Sequence, residues 1–145
     1  MNLDERRSFL SHIGIFARCK RGDLKALARS CDEMTFETGE IVCRQGEKGA
    51  AMFLVIEGGV DVVEETDEGE MPLAYLGHGA VIGELSVIDG EMRSATVRAR
   101  ERTTCLVLTT WDLRASIKER PEIALDILQM VIGRYRTLTD KLKHL

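Results

Sequence analysis

The residues with the most chemical potential lie close together, in the stretch Val81 to Ala99, VIGELSVIDGEMRSATVRA. Arg93 is the only lysine or arginine between Lys48 and Arg98. Its guanidinium can grip a phosphate through paired hydrogen bonds. Ser94 beside it adds a hydroxyl, and Glu84 offers acceptors that suit a sugar hydroxyl. Gly83 lets the backbone turn sharply and approach a ligand closely. The segment Glu84 to Ile88 is expected to form one helical turn, whose leading N–H groups favour negative charge. These are the parts of an anion site. The same residue types also suit an internal Arg93–Glu84 ion pair that pins a loop, and on residue types alone that is the commoner arrangement.

Other chemistries find less support. Cys19, Cys31, Cys43 and Cys105 form no Cys-x-x-Cys pair, and no histidine stands at zinc-finger spacing from them. They read as reduced thiols of a cytoplasmic protein. His12, His78 and His144 are too dispersed for a histidine metal site, so no metal is expected. No nucleophile–base constellation and no Gly-Lys-Ser/Thr phosphate loop is present, so no catalytic residue is expected and the protein is read as a non-enzyme. Net charge is −4, and from Asp32 to Glu91 fifteen acids face only Arg44 and Lys48 as bases. Such a region cannot be a nucleic-acid surface. The longest stretch free of formal charge, Met71 to Gly83, falls well short of the ~20 apolar residues of a membrane-spanning helix. The start of the chain carries Asp4 and Glu5 and lacks a signal-peptide pattern.

The elements that must position the anion site follow from the apolar pattern. The length suits one domain, 1–145, with helices over about 4–31, strands over about 33–109 and helices over about 110–145. Leu24, Leu27, Ala28 and Cys31 share one face of a helix that begins near Arg21. From Met34 short apolar runs alternate with glycine-bearing or acidic turns: Ile41–Cys43, Met52–Ile56, Val60–Val63, Leu73–Leu76, Ala95–Val97 and Cys105–Leu108. This pattern predicts an antiparallel sandwich or roll. Glu64 to Glu70 reads as a polar hairpin tip. Thr109 and Asp112 resemble a capping box at the start of a helix, and Pro121 opens a long helix to about His144. In that helix Leu128, Val131, Tyr135, Leu138, Leu142 and Leu145 form a heptad stripe that predicts a parallel two-fold dimer seam. Ile123, Leu125 and Ile127 are expected to dock on the protein itself.

Gly83, Glu84, Leu85, Ser86, Arg93, Ser94, Ala95 and Thr96 match, in order and spacing, the phosphate-binding cassette of the cyclic-nucleotide-binding domain family. That family occurs in catabolite activator proteins, cAMP-dependent kinase regulatory subunits and cyclic-nucleotide-gated channels. The resemblance extends to Phe16, Gly39-Glu40, Gly46-Glu47, Phe53, Gly59-Val60 and Gly79. Ala80 and Val81 depart from it, standing where many relatives have Asp and an aromatic.

The resemblance implies an α+β, mainly β fold: an antiparallel eight-stranded β-roll, jelly-roll-like, with N-terminal helices, a short cassette helix and a long C-terminal helix. It implies cAMP or cGMP as ligand and no other cofactor. Arg93 would pair with the exocyclic phosphate oxygens, aided by Ser94 and the Ala95 backbone. Glu84 would take the ribose 2′-hydroxyl, aided by the Gly83–Leu85 backbone, with Ser86 next in the cassette. Val62 and Leu73 would line the apolar wall, and Leu138 and Thr139 would cap the base. Ser94, rather than the Thr associated with cGMP preference, favours cAMP. The expected role is a regulatory sensor whose ligand moves the C-terminal helix, as the effector domain of a bacterial transcription regulator or as a stand-alone sensor. DNA would be reached only through a domain absent from this chain. The alternative is a roll that binds no nucleotide and serves for dimerisation.

Overall fold

The structure, a computed structural model, describes residues 1–144, so Leu145 of the heptad stripe lies outside the described residues. The chain divides into two compact units. One is Cys31–Leu113, and the other joins Met1–Ser30 to the chain from Arg114 onward.

The first unit carries eight strands: β1 (Asp32–Phe36), β2 (Ile41–Cys43), β3 (Ala51–Glu57), β4 (Val60–Thr66), β5 (Gly69–Leu76), β6 (Val81–Ile82), β7 (Thr96–Ala99) and β8 (Thr103–Thr109). They form two four-stranded sheets in the orders β1-β8-β3-β6 and β2-β7-β4-β5, with antiparallel pairing throughout. The eight-stranded roll is present as expected. Phe36, Phe53, Val55, Val60, Val97, Ala99, Cys105 and Val107 cluster as its core, with the Phe36 and Phe53 rings edge to face at 6.1 Å. Among the described residues no disulfide joins the four cysteines.

Two strands escaped the apolar pattern for physical reasons. Along β1 only Phe36 is buried, so the strand exists through backbone pairing to β8 at a sheet edge rather than through side-chain burial. β6 is two residues long and leans on Phe53 and Leu54 of β3. The β4–β5 hairpin runs to a tip at Thr66–Gly69, where the Thr66 hydroxyl donates to the Gly69 carbonyl at 2.7 Å. Its register slips between Val62, opposite Ala74, and Val63, opposite Pro72. The slip accommodates a proline, which cannot donate to a ladder, and leaves Leu73 as the extra residue of a bulge.

The cassette helix α3 spans Ser86–Asp89, two residues later at its start than the expected turn. Gly83 (φ +78°) and Gly90 (φ +70°) bracket it, the second as a left-handed C-terminal cap whose N–H bonds the Ser86 carbonyl. α4 (Thr110–Glu119) begins with the Asp112 N–H donating to Thr109 Oγ1 at 3.1 Å, one half of the expected capping box.

In the helical unit α1 (Leu3–Ser11) is capped by Asn2, whose Oδ1 accepts the Glu5 N–H at 2.8 Å. A 3-10 turn (Gly14–Phe16) and α2 (Arg21–Ser30) follow, and α5 (Glu122–Lys143) closes the unit. Leu10, Ile13, Ile15, Phe16, Leu24, Leu27, Ile123 and Ile127 are buried. Asp23, itself buried, accepts from Arg120 at 3.0 Å. Leu125 departs from expectation: it is exposed, because two residues from both Ile123 and Ile127 it falls on the opposite side of the helix.

Candidate functional site

Arg93 is held by the loop between β2 and β3. The Gly46 N–H donates to the Arg93 carbonyl at 2.9 Å, the Arg93 N–H to the Glu47 carbonyl at 2.8 Å, and the Gly49 N–H to the Glu91 carbonyl at 3.0 Å. These bonds fix the Arg93 backbone from both sides. The residue is only 9% exposed, and its Nη2 donates to the Ala51 carbonyl.

Two glycines make room for the guanidinium. A Cβ on Gly83 would lie 2.0 Å from Arg93 Nη1 and 2.9 Å from the Ala51 carbonyl oxygen. A Cβ on Gly49 would lie 2.5 Å from the Ser86 Cβ and 3.2 Å from Arg93 Cζ. Gly83 therefore serves the arginine sterically as well as turning the chain. Among the described residues Arg93 enters no ion pair, so the Arg93–Glu84 clamp is not what the structure contains. A buried cation bonded to one carbonyl is poorly compensated by the protein, and an anion brought beside it completes the arrangement.

A cavity of about 240 Å³ lies at this arginine. Of the residues expected at the site, Val62, Gly83, Ser86, Arg93, Ser94 and Ala95 line it. The other lining residues are Cys43, Leu76, Val81, Ile82, Met92 and Val97, which sequence reasoning did not single out. Part of this wall was legible in register: Cys43 pairs with Val97, and Val97 pairs with Val62, so three adjacent strands present one residue each to the same face. Burial pushes the Cys43 thiol above its ordinary pKa, with the Arg93 charge pulling the other way.

Within the strand unit, Glu84, Leu85 and Leu73 lie outside the lining of this cavity. Glu84 is half-buried in the turn before α3, next to the lining but not part of it, and Leu85 is exposed. The first backbone bond of α3, Val87 N–H to the Gly83 carbonyl at 3.1 Å, leaves Leu85 and Ser86 ahead of it with N–H groups not used by the turn. Leu73, the bulge residue, is 51% exposed and lies outside the cavity, beside Tyr75 and Arg100 on another face of the hairpin. Leu138 lines a groove of the helical unit with Met130 and Gly133, and the Thr139 hydroxyl donates to the Tyr135 carbonyl at 2.6 Å.

Residues 33–120 match the family model of the cyclic nucleotide-binding domain. The chain belongs to that family. Over 112 residues, 77% of its length, it is 35% identical to a cyclic nucleotide-gated potassium channel of Mesorhizobium japonicum. It is also 33% identical over 121 residues, 79% of its length, to cyclic nucleotide-gated channel alpha-4 of Mus musculus. These matches cover 30% and 21% of the two channels, so the chain spans less than a third of the curated relatives' length. Among solved structures, the N-terminal domain of a transcriptional regulator from Streptomyces coelicolor superposes with a TM-score of 0.84 at 32% identity, covering 91% of this chain and 95% of that domain. This cyclic nucleotide-binding domain is thus related both to cyclic nucleotide-gated channels and to the N-terminal domain of a transcriptional regulator. Among the described residues no helix is long and apolar enough to cross a membrane, and no group of His, Cys, Asp or Glu is placed to hold a metal ion.

Proposed function

We propose that this domain is a non-catalytic sensor that binds a cyclic nucleotide, cAMP in preference to cGMP. The observation that carries the reading is the buried Arg93 guanidinium, free of any ion pair among the described residues and lining a cavity. Arg93 takes the exocyclic phosphate oxygens, and the Ser94 hydroxyl and Ala95 backbone add to the same group. Glu84 accepts from the ribose 2′-hydroxyl. Val62, Leu76 and Val97 give the sugar and base an apolar wall. At about 240 Å³ the cavity is somewhat under the ~300 Å³ at which small-molecule sites begin, so it encloses the ribose and phosphate and leaves the base toward its opening. Ser94 in place of Thr supports cAMP.

Coupling to the helices begins at Thr110. Its hydroxyl donates to the Val87 carbonyl of α3 at 2.8 Å, and its N–H donates to the Ala50 carbonyl at 2.9 Å. A shift of the cassette on ligand binding is passed to the start of α4 through this bond. The ligand moves the helices only by as much as it prefers one of their placements. The near-complete coverage of the Streptomyces regulator domain supports a role as the effector domain of a transcription regulator. The exposed apolar stripe Leu128, Val131, Tyr135, Leu138 and Leu142 along α5 supports a homodimer through that helix.

Isothermal titration with cAMP and with cGMP tests the reading. Arg93→Ala should cost at least ~2 kcal/mol of binding, roughly 30-fold, because a desolvated phosphate loses its charged partner. Unchanged affinity in that variant would place the site elsewhere. Absence of heat with both nucleotides on the wild type would leave the roll as a dimerisation module.

A further inference from the structure

Cys43 stands on the wall of the Arg93 cavity, in a row of three residues set by the sheet. It ends β2 and pairs with Val97 of β7, which pairs on its other side with Val62 of β4, and all three line the cavity. Directly opposed residues of neighbouring strands project to the same face, so the thiol shares the space that Val62 and Val97 bound. Cys43 is half-buried, whereas Cys19, Cys31 and Cys105 are buried. An independent feature marks this space as belonging to a ligand: the Arg93 guanidinium, more than nine-tenths buried, lines it, and among the described residues only its Nη2 is bonded, to the Ala51 carbonyl.

We propose that Cys43 is a modification site for soft electrophiles of the Michael-acceptor class, and that its adduct and a bound cyclic nucleotide exclude one another. The proposal rests on the nucleotide reading above. In the reaction the thiol gives its proton to solvent, and the sulfur adds to the β-carbon of an activated alkene. The S–C bond forms as the C=C π bond opens, and the α-carbon takes a proton from water. Nothing is oxidised and nothing leaves. Because burial holds the thiol above its ordinary pKa, the reactive thiolate is scarce at neutral pH and labelling accelerates as pH rises. Exclusion follows from position, since an adduct on the Cys43 sulfur takes space in the cavity that Arg93, Ser94 and Ala95 also line.

The test uses the full chain, N-ethylmaleimide as the electrophile, and peptide mass spectrometry to follow each cysteine. Titration calorimetry on the same preparation establishes which of cAMP and cGMP binds. At ~100 times its Kd the nucleotide leaves about 1% of sites uncovered, so Cys43 labelling should slow at least ~10-fold while labelling of Cys19, Cys31 and Cys105 is unchanged. Protein labelled at Cys43 should give no heat with nucleotide, whereas Cys43→Ser should give the same nucleotide heat before and after exposure to the reagent. Nucleotide heat combined with an unprotected Cys43, or a Cys43 that stays unlabelled at pH 8.5, overturns the inference while the nucleotide reading stands. Failure of both nucleotides to bind the unlabelled protein overturns the two together.

Discussion

Arg93 works only because two glycines step aside for it. At Gly83 a side chain would strike the guanidinium and would also have to sit at φ +78°, so two separate penalties coincide. Gly39 separates them, since its φ is +88° but a Cβ there meets nothing within 4 Å. Gly83→Ala should therefore lower nucleotide affinity at least ~10-fold and stability by about 1–3 kcal/mol. Gly39→Ala should lower stability alone, by about 1 kcal/mol. Calorimetric titration and denaturant unfolding of the two variants check this, and equal affinity loss in both would remove Gly83 from the site. At this scale the sequence was informative about types: Gly83, Arg93, Ser94 and Ala95 were singled out together, and all four line one cavity. Gly49 was not. Its need to be glycine arises from Ser86 and Arg93, both more than thirty residues away, and no local pattern reports that.

Among the elements, the bond from Thr110 to Val87 ties the short helix α3 to the start of α4 by side chain. Val87 is fully buried, so its carbonyl depends on that hydroxyl. Thr110→Val keeps the shape and removes the donor, and should cost about 1–2 kcal/mol. Hydrogen exchange should then quicken at Asp89 and Gly90, the amides that close α3, ahead of those in β8. Unaltered exchange in α3 would mean that the bond does not hold the cassette. The strands in the middle of the sheets were readable because they bury continuous apolar runs, as β3 and β8 do. β1 and β6 were not, since one is mostly exposed and the other is too short to carry a period. Leu73 was expected on the apolar wall from the family resemblance. The bulge that accommodates Pro72 decides otherwise.

For the whole molecule, the open question is what meets α5. Leu128, Val131, Tyr135, Leu138 and Leu142 are all exposed along one stripe, with Leu138 at 61%. A contiguous apolar stripe of this kind on a 22-residue helix fits a seam with a second copy. Leu138→Asp should convert a sedimenting dimer to a monomer while the roll keeps its thermal transition, because Leu138 belongs to the helical unit and not to the core of the strands. A wild type that sediments as a monomer at high protein concentration would contradict the seam.

The order of residue types along Val81–Ala99, and the alternation of apolar runs with glycine turns before it, were enough to determine the family and the roll. Those are properties of local spacing, which a linear chain displays directly. The tertiary structure alone decided that Arg93 faces a cavity rather than a carboxylate, that Cys43 shares its wall and that Leu73 and Leu125 turn outward. Each of these depends on which distant strand or helix turn arrives opposite, and register, bulges and steric clearance are settled only when the sheets close on one another.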